Sequence, residues 1–297
     1  MTRTHPLTPR EQARSAASGT TRPRNPLAHQ QLAAVVAVGA MVAAGLGLLL
    51  DGVYGSDQAT VQMLRGFDAV TLLVIGPGLL LAVRSDRHGS TRGRLLAASL
   101  LAYLGYTYAY YLLGAGFTDL MLLHAPLLTA TLVGLVLALR DLPTSGLTSH
   151  LARGGARVAA GVLGLLAVSL GAMWVYACLA WAVDATIPAG SSLVESETVV
   201  HLGIVLDLTL LVPLYGAATV LLWRRRAWGF VLAALALVAG TLHQVSYLVA
   251  LLFQYAAEVP GSVPMDPVEP VILLLYGVAT ALLLRRPDGV RPSDEGW

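Results

Sequence analysis

The chain has 297 residues, of which 56% are hydrophobic and 12% charged, with a net charge of +2 and a mean hydropathy of +0.69. A soluble domain keeps roughly a quarter of its residues charged, so this composition excludes an ordinary soluble fold and makes hydrocarbon the solvent for most of the surface. All 19 cationic residues are Arg, a bias that with abundant Ala, Leu and Gly fits a GC-rich bacterial genome, and the single cysteine, Cys178, leaves no disulfide or CxxC metal site within the chain.

Residues 1–28 carry five Arg among Ser, Thr and Pro without apolar periodicity, and are expected to form a disordered cytoplasmic tail. The apolar run from Gln31 to Leu50 exceeds a signal-peptide core and lacks a small-residue cleavage site before Asp51, so it reads as a first membrane anchor. Eight apolar stretches follow one another within a transmembrane domain at 29–286, at about 30–50, 66–84, 95–113, 119–139, 158–182, 200–223, 229–255 and 269–284. At 1.5 Å per residue each can span roughly 30 Å, the second and eighth only just. Residues 287–297 form a second tail. No ten-residue alternation of a β-barrel is present, so the predicted fold is an all-α, polytopic transmembrane helix bundle of about eight helices.

Arginine sets the orientation. With the N-terminus inside, five Arg fall in the tail, four in 84–94, three in 140–157, three at 224–226 and three after 284, which leaves only Arg65 outside. Both termini are therefore expected in the cytoplasm, and the localisation that follows is the plasma (inner) membrane of a bacterium. The outer connections carry the acids, among them Asp51, Asp57, Asp119, Asp184, Glu195, Glu197, Glu258 and Asp266.

The halves share spacings. Asp68 precedes Arg84 by 16 residues and Asp207 precedes Arg224 by 17; Gly93-Arg94-Leu95-Leu96-Ala97-Ala98 opens the third stretch and Gly229-Phe230-Val231-Leu232-Ala233-Ala234 the seventh; Pro126 and Pro270 sit near the starts of the fourth and eighth. These offsets suggest parallel repeats at 29–141 and 157–286, a device of membrane transporters.

An ionisable side chain in hydrocarbon costs at least a few kcal/mol and is a functional candidate. Counting upward from the inner Arg at 1.5 Å per residue places Asp207 about 26 Å up, Asp68, His124 and Tyr110 about 24 Å, and His243 about 21 Å. Five helices thus bring polar groups to one outer layer, which would line an outward-facing cavity if they faced each other. Asp207, flanked by Val205, Leu206 and Leu208, is the candidate proton carrier or cation ligand; Asp68, His243, His124, Tyr106 and Tyr110 are its candidate companions. Helical spacing puts Tyr103, Tyr106 and Tyr110 on one face, as an aromatic wall or, the favoured reading, part of an interfacial belt with Trp174 and Trp181. Pro77, Pro126 and Pro213 are expected to kink their helices.

Gly89-Ser90-Thr91-Arg92-Gly93-Arg94-Leu95, the Tyr-rich helix ending at Gly114-Ala115-Gly116-Phe117-Thr118-Asp119, and Val205-Leu206-Asp207-Leu208 with Pro213 and Trp223 to Gly229 resemble an uncharacterised family of bacterial polytopic membrane proteins. The resemblance covers 60–140 and 200–230 and implies no activity; it implies Asn where Thr118 stands and Tyr where His124 stands. The leading expectation is small-ligand binding or proton- or ion-linked transport. The alternatives are a membrane-embedded enzyme or haem protein using His124 and His243, and a non-catalytic assembly or signalling subunit. No phosphate loop, GxSxG or long extramembrane loop is present, so a non-enzymatic role is favoured. No cofactor or metal is expected; the partners are the lipid bilayer and a small molecule or protein, not nucleic acid.

Overall fold

The computed structural model describes residues 27–144, 147, 153–186 and 191–285. The expected tails fall outside these, except for their boundary residues. Among the described residues eight helices follow in chain order: α1 (Ala28–Leu49), α2 (Gln58–Arg87), α3 (Thr91–Gly114), α4 (Met121–Arg140), α5 (Arg153–Asp184), α6 (Glu197–Trp223), α7 (Ala227–Ala256) and α8 (Glu269–Leu284). Among the described residues there is no strand. Seven of the helices are long and apolar enough to cross a membrane; α8, with 16 residues, is shorter, about 24 Å at 1.5 Å per residue.

Helix α2 begins eight residues before the predicted stretch. Its first two turns carry Gln58, Gln62 and Arg65, which hydropathy assigns to a loop, but the Asp57 side chain accepts from the Thr60 N–H at 3.2 Å and caps a real helix start. Arg65 donates to the carbonyls of Gly47 and Leu50 and to Asp51 at the C-terminal end of α1, where a cation is favoured.

The helices form two four-membered groups. In the first, α1 packs on α2 and α4, and α3 on α2 and α4; in the second, α5 packs on α6 and α8, and α7 on α6 and α8. Two apolar cores form: one centred on Leu64, Leu101 and Leu104, to which Ala250 and Leu251 of α7 add, and one centred on Leu163, Ala218 and Leu237, to which Leu95 and Ala98 of α3 add. Helix α7 joins them through α2 and α3. Gly66 makes that junction close: a Cβ there would stand 2.5 Å from Ala250 Cα, so the α2 and α7 backbones meet as small residues allow in membranes. Outward-facing Leu122, Val136, Val168, Leu179, Leu210 and Leu274 are exposed, an apolar exterior suited to lipid.

The α2–α3 and α6–α7 hairpins repeat in backbone detail at an offset of 136. Thr71–Ile75 and Asp207–Leu211 are π-helical turns, closed by the Gly76 N–H on Thr71 O and the Val212 N–H on Asp207 O. The next residue in each case is proline, Pro77 or Pro213. Its ring would crowd the carbonyl four residues back and it has no N–H, and the widened turn relieves the crowding. The prolines therefore act through a π turn rather than a simple kink. At the arginine-rich end Ser90 N–H bonds Ser85 O and Gly89 N–H bonds Asp86 O; Arg226 N–H bonds Leu221 O and Arg225 N–H bonds Leu222 O. Gly89 and Arg225 both have φ above zero, +88° and +53°, as this helix-terminating turn requires.

Candidate functional site

Asp207 opens the π turn of α6 and is 8% exposed. Its Oδ1 accepts from the Tyr106 hydroxyl of α3 at 2.7 Å and its Oδ2 from Trp174 Nε1 of α5 at 2.7 Å. Tyr110 reaches Tyr106 oxygen to oxygen at 3.3 Å. Because Tyr106 gives its proton to Asp207, its oxygen accepts from Tyr110, so the two phenols point their protons toward the carboxylate. Gly203 admits this arrangement: a Cβ there would lie 3.1 Å from the Tyr110 hydroxyl. The His243 ring of α7 stands edge-on to Tyr106, centroids 5.3 Å apart, with Phe67 on its other side at 6.0 Å.

Asp68 builds a second cluster in α2. Tyr54, from the α1–α2 connection, donates to Oδ2 at 2.6 Å and Tyr111 of α3 donates to Oδ1 at 2.9 Å. Glycine at position 47 of α1 leaves room for the carboxylate and the Tyr54 hydroxyl, both of which a Cβ would strike. His124 of α4 is fully buried against Tyr111 (4.7 Å), Tyr108 (5.6 Å) and Tyr54 (6.3 Å), and neither of its ring nitrogens has a hydrogen-bond partner among the described residues. The structure thus brings Asp207, Tyr106, Tyr110 and His243 together and places Asp68 with His124 in a separate cluster. Tyr106 and Tyr110, four apart, share one flank of α3, while Tyr108 and Tyr111 share another.

The favoured belt reading of the tyrosines is corrected. Tyr103, Tyr108, Tyr110 and Tyr111 are buried, Tyr106 is half-buried, and Tyr103 bonds Ser246 Oγ of α7 at 2.6 Å. Trp174 is likewise inside, whereas Trp181 is exposed as a belt residue should be. The hydroxyls of Tyr103, Tyr106, Tyr110 and Tyr111 pair with other buried groups, which outweighs their preference for headgroups, while the buried Tyr108 hydroxyl has no partner among the described residues.

Three functional groups escaped the sequence reading. Tyr54 and Trp174 complete the two carboxylate clusters. Glu195, in the α5–α6 connection, is half-buried; burial pushes its carboxyl up to about 7, opposed by a Ser191 hydrogen bond and aided by the Asp207 charge. The stability tied to this shift is present below the ordinary glutamate value and lost as pH rises through about 7. Glu195→Gln is accordingly expected to match the parent in thermal midpoint near pH 4 and to exceed it near about pH 8, checked by melting the purified protein at both.

A third cluster lies at the arginine-rich end. Asp86 Oδ2 accepts from His29 Nε2 at 2.7 Å and Gln30 Nε2 at 2.8 Å, and Oδ1 from Arg94 Nε at 2.9 Å. His29 Nδ1 faces Asp141 Oδ2 at 3.0 Å, and an Arg94 terminal nitrogen donates to the Asp141 carbonyl. This network ties α1, α2, α3 and the end of α4. Its sequence signal was available: Asp86 and Asp141 are the only acids in the 84–94 and 140–157 connections.

Among the described residues no group of three or more His, Cys, Asp or Glu is placed to hold a metal ion. Seven membrane-length helices around buried carboxylates make this a multi-pass helical membrane protein. No family model, curated protein or solved structure matches the chain.

Proposed function

We propose that the protein sits in a bacterial inner membrane with both ends in the cytoplasm, and couples proton binding at Asp207 and Asp68 to the handling of a small ligand from the outer side. The observation that carries this reading is the bonding of the two carboxylates. Each is buried, each accepts from two neutral donors, and among the described residues neither forms a salt bridge. A carboxylate in hydrocarbon without a counter-cation is the group a proton neutralises, which is why such residues serve as relays in pumps and transporters. By contrast Asp86, at the other end, is already neutralised by Arg94.

Two features support a moving part. Asp207 and Tyr110 each begin a π turn and Asp68 lies three residues before another, and such turns gather at functional sites because their spare backbone geometry permits shifts. The matching hairpins, 136 residues apart, also favour a duplicated four-helix unit. His124 and His243 rest in different aromatic clusters, which lends no support to a shared haem.

Asp207→Asn tests the proposal. In protein reconstituted in liposomes, pH-difference infrared spectra are expected to contain carbonyl-stretch absorption of protonated carboxyls, and the variant to lose the Asp207 component while that of Asp68 stays. A parent protein with no such band, or a variant with an unchanged spectrum, contradicts the reading.

A further inference from the structure

We infer that His124 and Tyr108 form a buried water-binding site beside the Asp68 cluster, at the interface of α3 and α4; this goes beyond the proton-binding reading and stands whether or not Asp68 carries a proton. The fold encloses hydrogen-bonding atoms here without pairing them. His124 is 0% exposed and Tyr108 3%, and among the described residues neither ring nitrogen of His124 nor the Tyr108 hydroxyl has a partner. The two rings adjoin, with centroids 5.6 Å apart. Buried polar groups in folded proteins are paired with protein or with water, so atoms that the protein leaves unpaired mark where water binds.

The neighbouring side chains do not meet the demand themselves. Tyr54 and Tyr111, whose rings also pack on His124, give their single hydroxyl protons to the two oxygens of Asp68 and have none left for an imidazole nitrogen. Their oxygens keep lone pairs free to accept from a water. Thr107 and Thr131 also carry unpartnered hydroxyls, but a helical threonine can turn its O–H to the carbonyl one turn back, as Thr129, Thr209, Thr241 and Thr280 do. The His124 ring, packed among three tyrosine rings, makes no such bond.

Size and chemistry both select water. Ring centroids 4.7–6.3 Å from that of His124 are in contact with it, so a larger guest would have to part them. Water both donates and accepts, as an imidazole and a phenol together require. The Asp207 cluster makes no comparable demand: Asp207, Tyr106, Tyr110 and Trp174 bond one another, and among the described residues no buried polar atom of theirs lacks a partner. The two carboxylates, alike in their paired neutral donors, therefore differ in setting. Asp68 lies in a cluster that binds water and Asp207 in one that is dry.

Magic-angle-spinning NMR of the full chain in proteoliposomes, with histidine and leucine labelled and polarisation transferred from water protons, reads the site directly. The His124 imidazole, assigned by the loss of its signal in His124→Phe, is expected to receive polarisation from water, and the Leu101 and Leu104 methyls of the same core, each 0% exposed, to receive none. Tyr108→Phe removes one partner of the water and is expected to lower the transfer to His124 by about twofold or more. A His124 signal in the parent no stronger than that of the leucines, or one that Tyr108→Phe leaves at parent intensity, overturns the inference. Thermal midpoints give a second reading: each single variant is expected to fall, and the double variant to fall no further than the worse single, because all three lose the same water. Additive losses, or a rise in either single variant, contradict it.

Discussion

Asp86→Ala is expected to cost about 3–5 kcal/mol of stability, the largest single loss in the molecule, because it strands buried partners rather than merely deleting a contact. The carboxylate holds His29, Gln30 and Arg94 at 2.7–2.9 Å, and the His29 and Asp86 side chains are 2% and 1% exposed. Removing it leaves Arg94 with only the Asp141 backbone carbonyl and His29 with only the Asp141 carboxylate, whose side chain is 37% exposed. The measurement is equilibrium unfolding of the purified protein in mixed micelles. Asp86→Asn, which keeps an acceptor, should lose less, and a loss under about 1 kcal/mol for the alanine variant would show the network to be ornamental.

Gly66→Leu is expected to be the next most damaging change. Ala250 Cα already stands 2.5 Å from where a Cβ would be, and it is backbone, so nothing flexible can move aside. The α2 and α7 helices must separate, at about 1–3 kcal/mol or more for an overpacked site. Since α7 is the helix that joins the two four-helix groups through α2 and α3, the damage is not local. Gly45→Leu is the control: no atom lies within 4 Å of its would-be Cβ, and a change within about 0.5 kcal/mol is expected. Thermal midpoints of the two variants in one detergent separate the cases; equal midpoints would mean the junction is loose.

Helix positions were legible because hydrocarbon demands long apolar runs, and all eight stretches became helices. Heights were legible too, since rise per residue is fixed: Asp207, Tyr106 and Tyr110 do meet. Azimuth was not. An aliphatic helix shows no polar face, so Val205-Leu206-Asp207-Leu208 does not say which way Asp207 points, and each π turn adds a residue that rotates everything beyond it by about 100°. That is why one expected layer became two clusters on different flanks of α3. Trp174 and Tyr54 escaped for another reason: near the headgroups an aromatic residue is equally at home inside or out. His29 lies at the opposite boundary, where polar residues excite no suspicion, and only its bonding distinguishes it.

The proposed orientation of the bundle in the membrane carries the rest, because with the arginine-rich turns inside, Asp207, Asp68 and Glu195 fall on the outer side. It is tested by labelling with a membrane-impermeant maleimide on intact cells, after Cys178→Ala and with single cysteines introduced by His88→Cys and Arg225→Cys in the arginine-rich turns and by Phe117→Cys in the α3–α4 connection, where Phe117 is 91% exposed. The account predicts that the cysteine at 117 reacts at once and those at 88 and 225 only after the cells are permeabilised. Immediate reaction at 88 and 225 would invert the bundle and place the two carboxylate clusters on the cytoplasmic side.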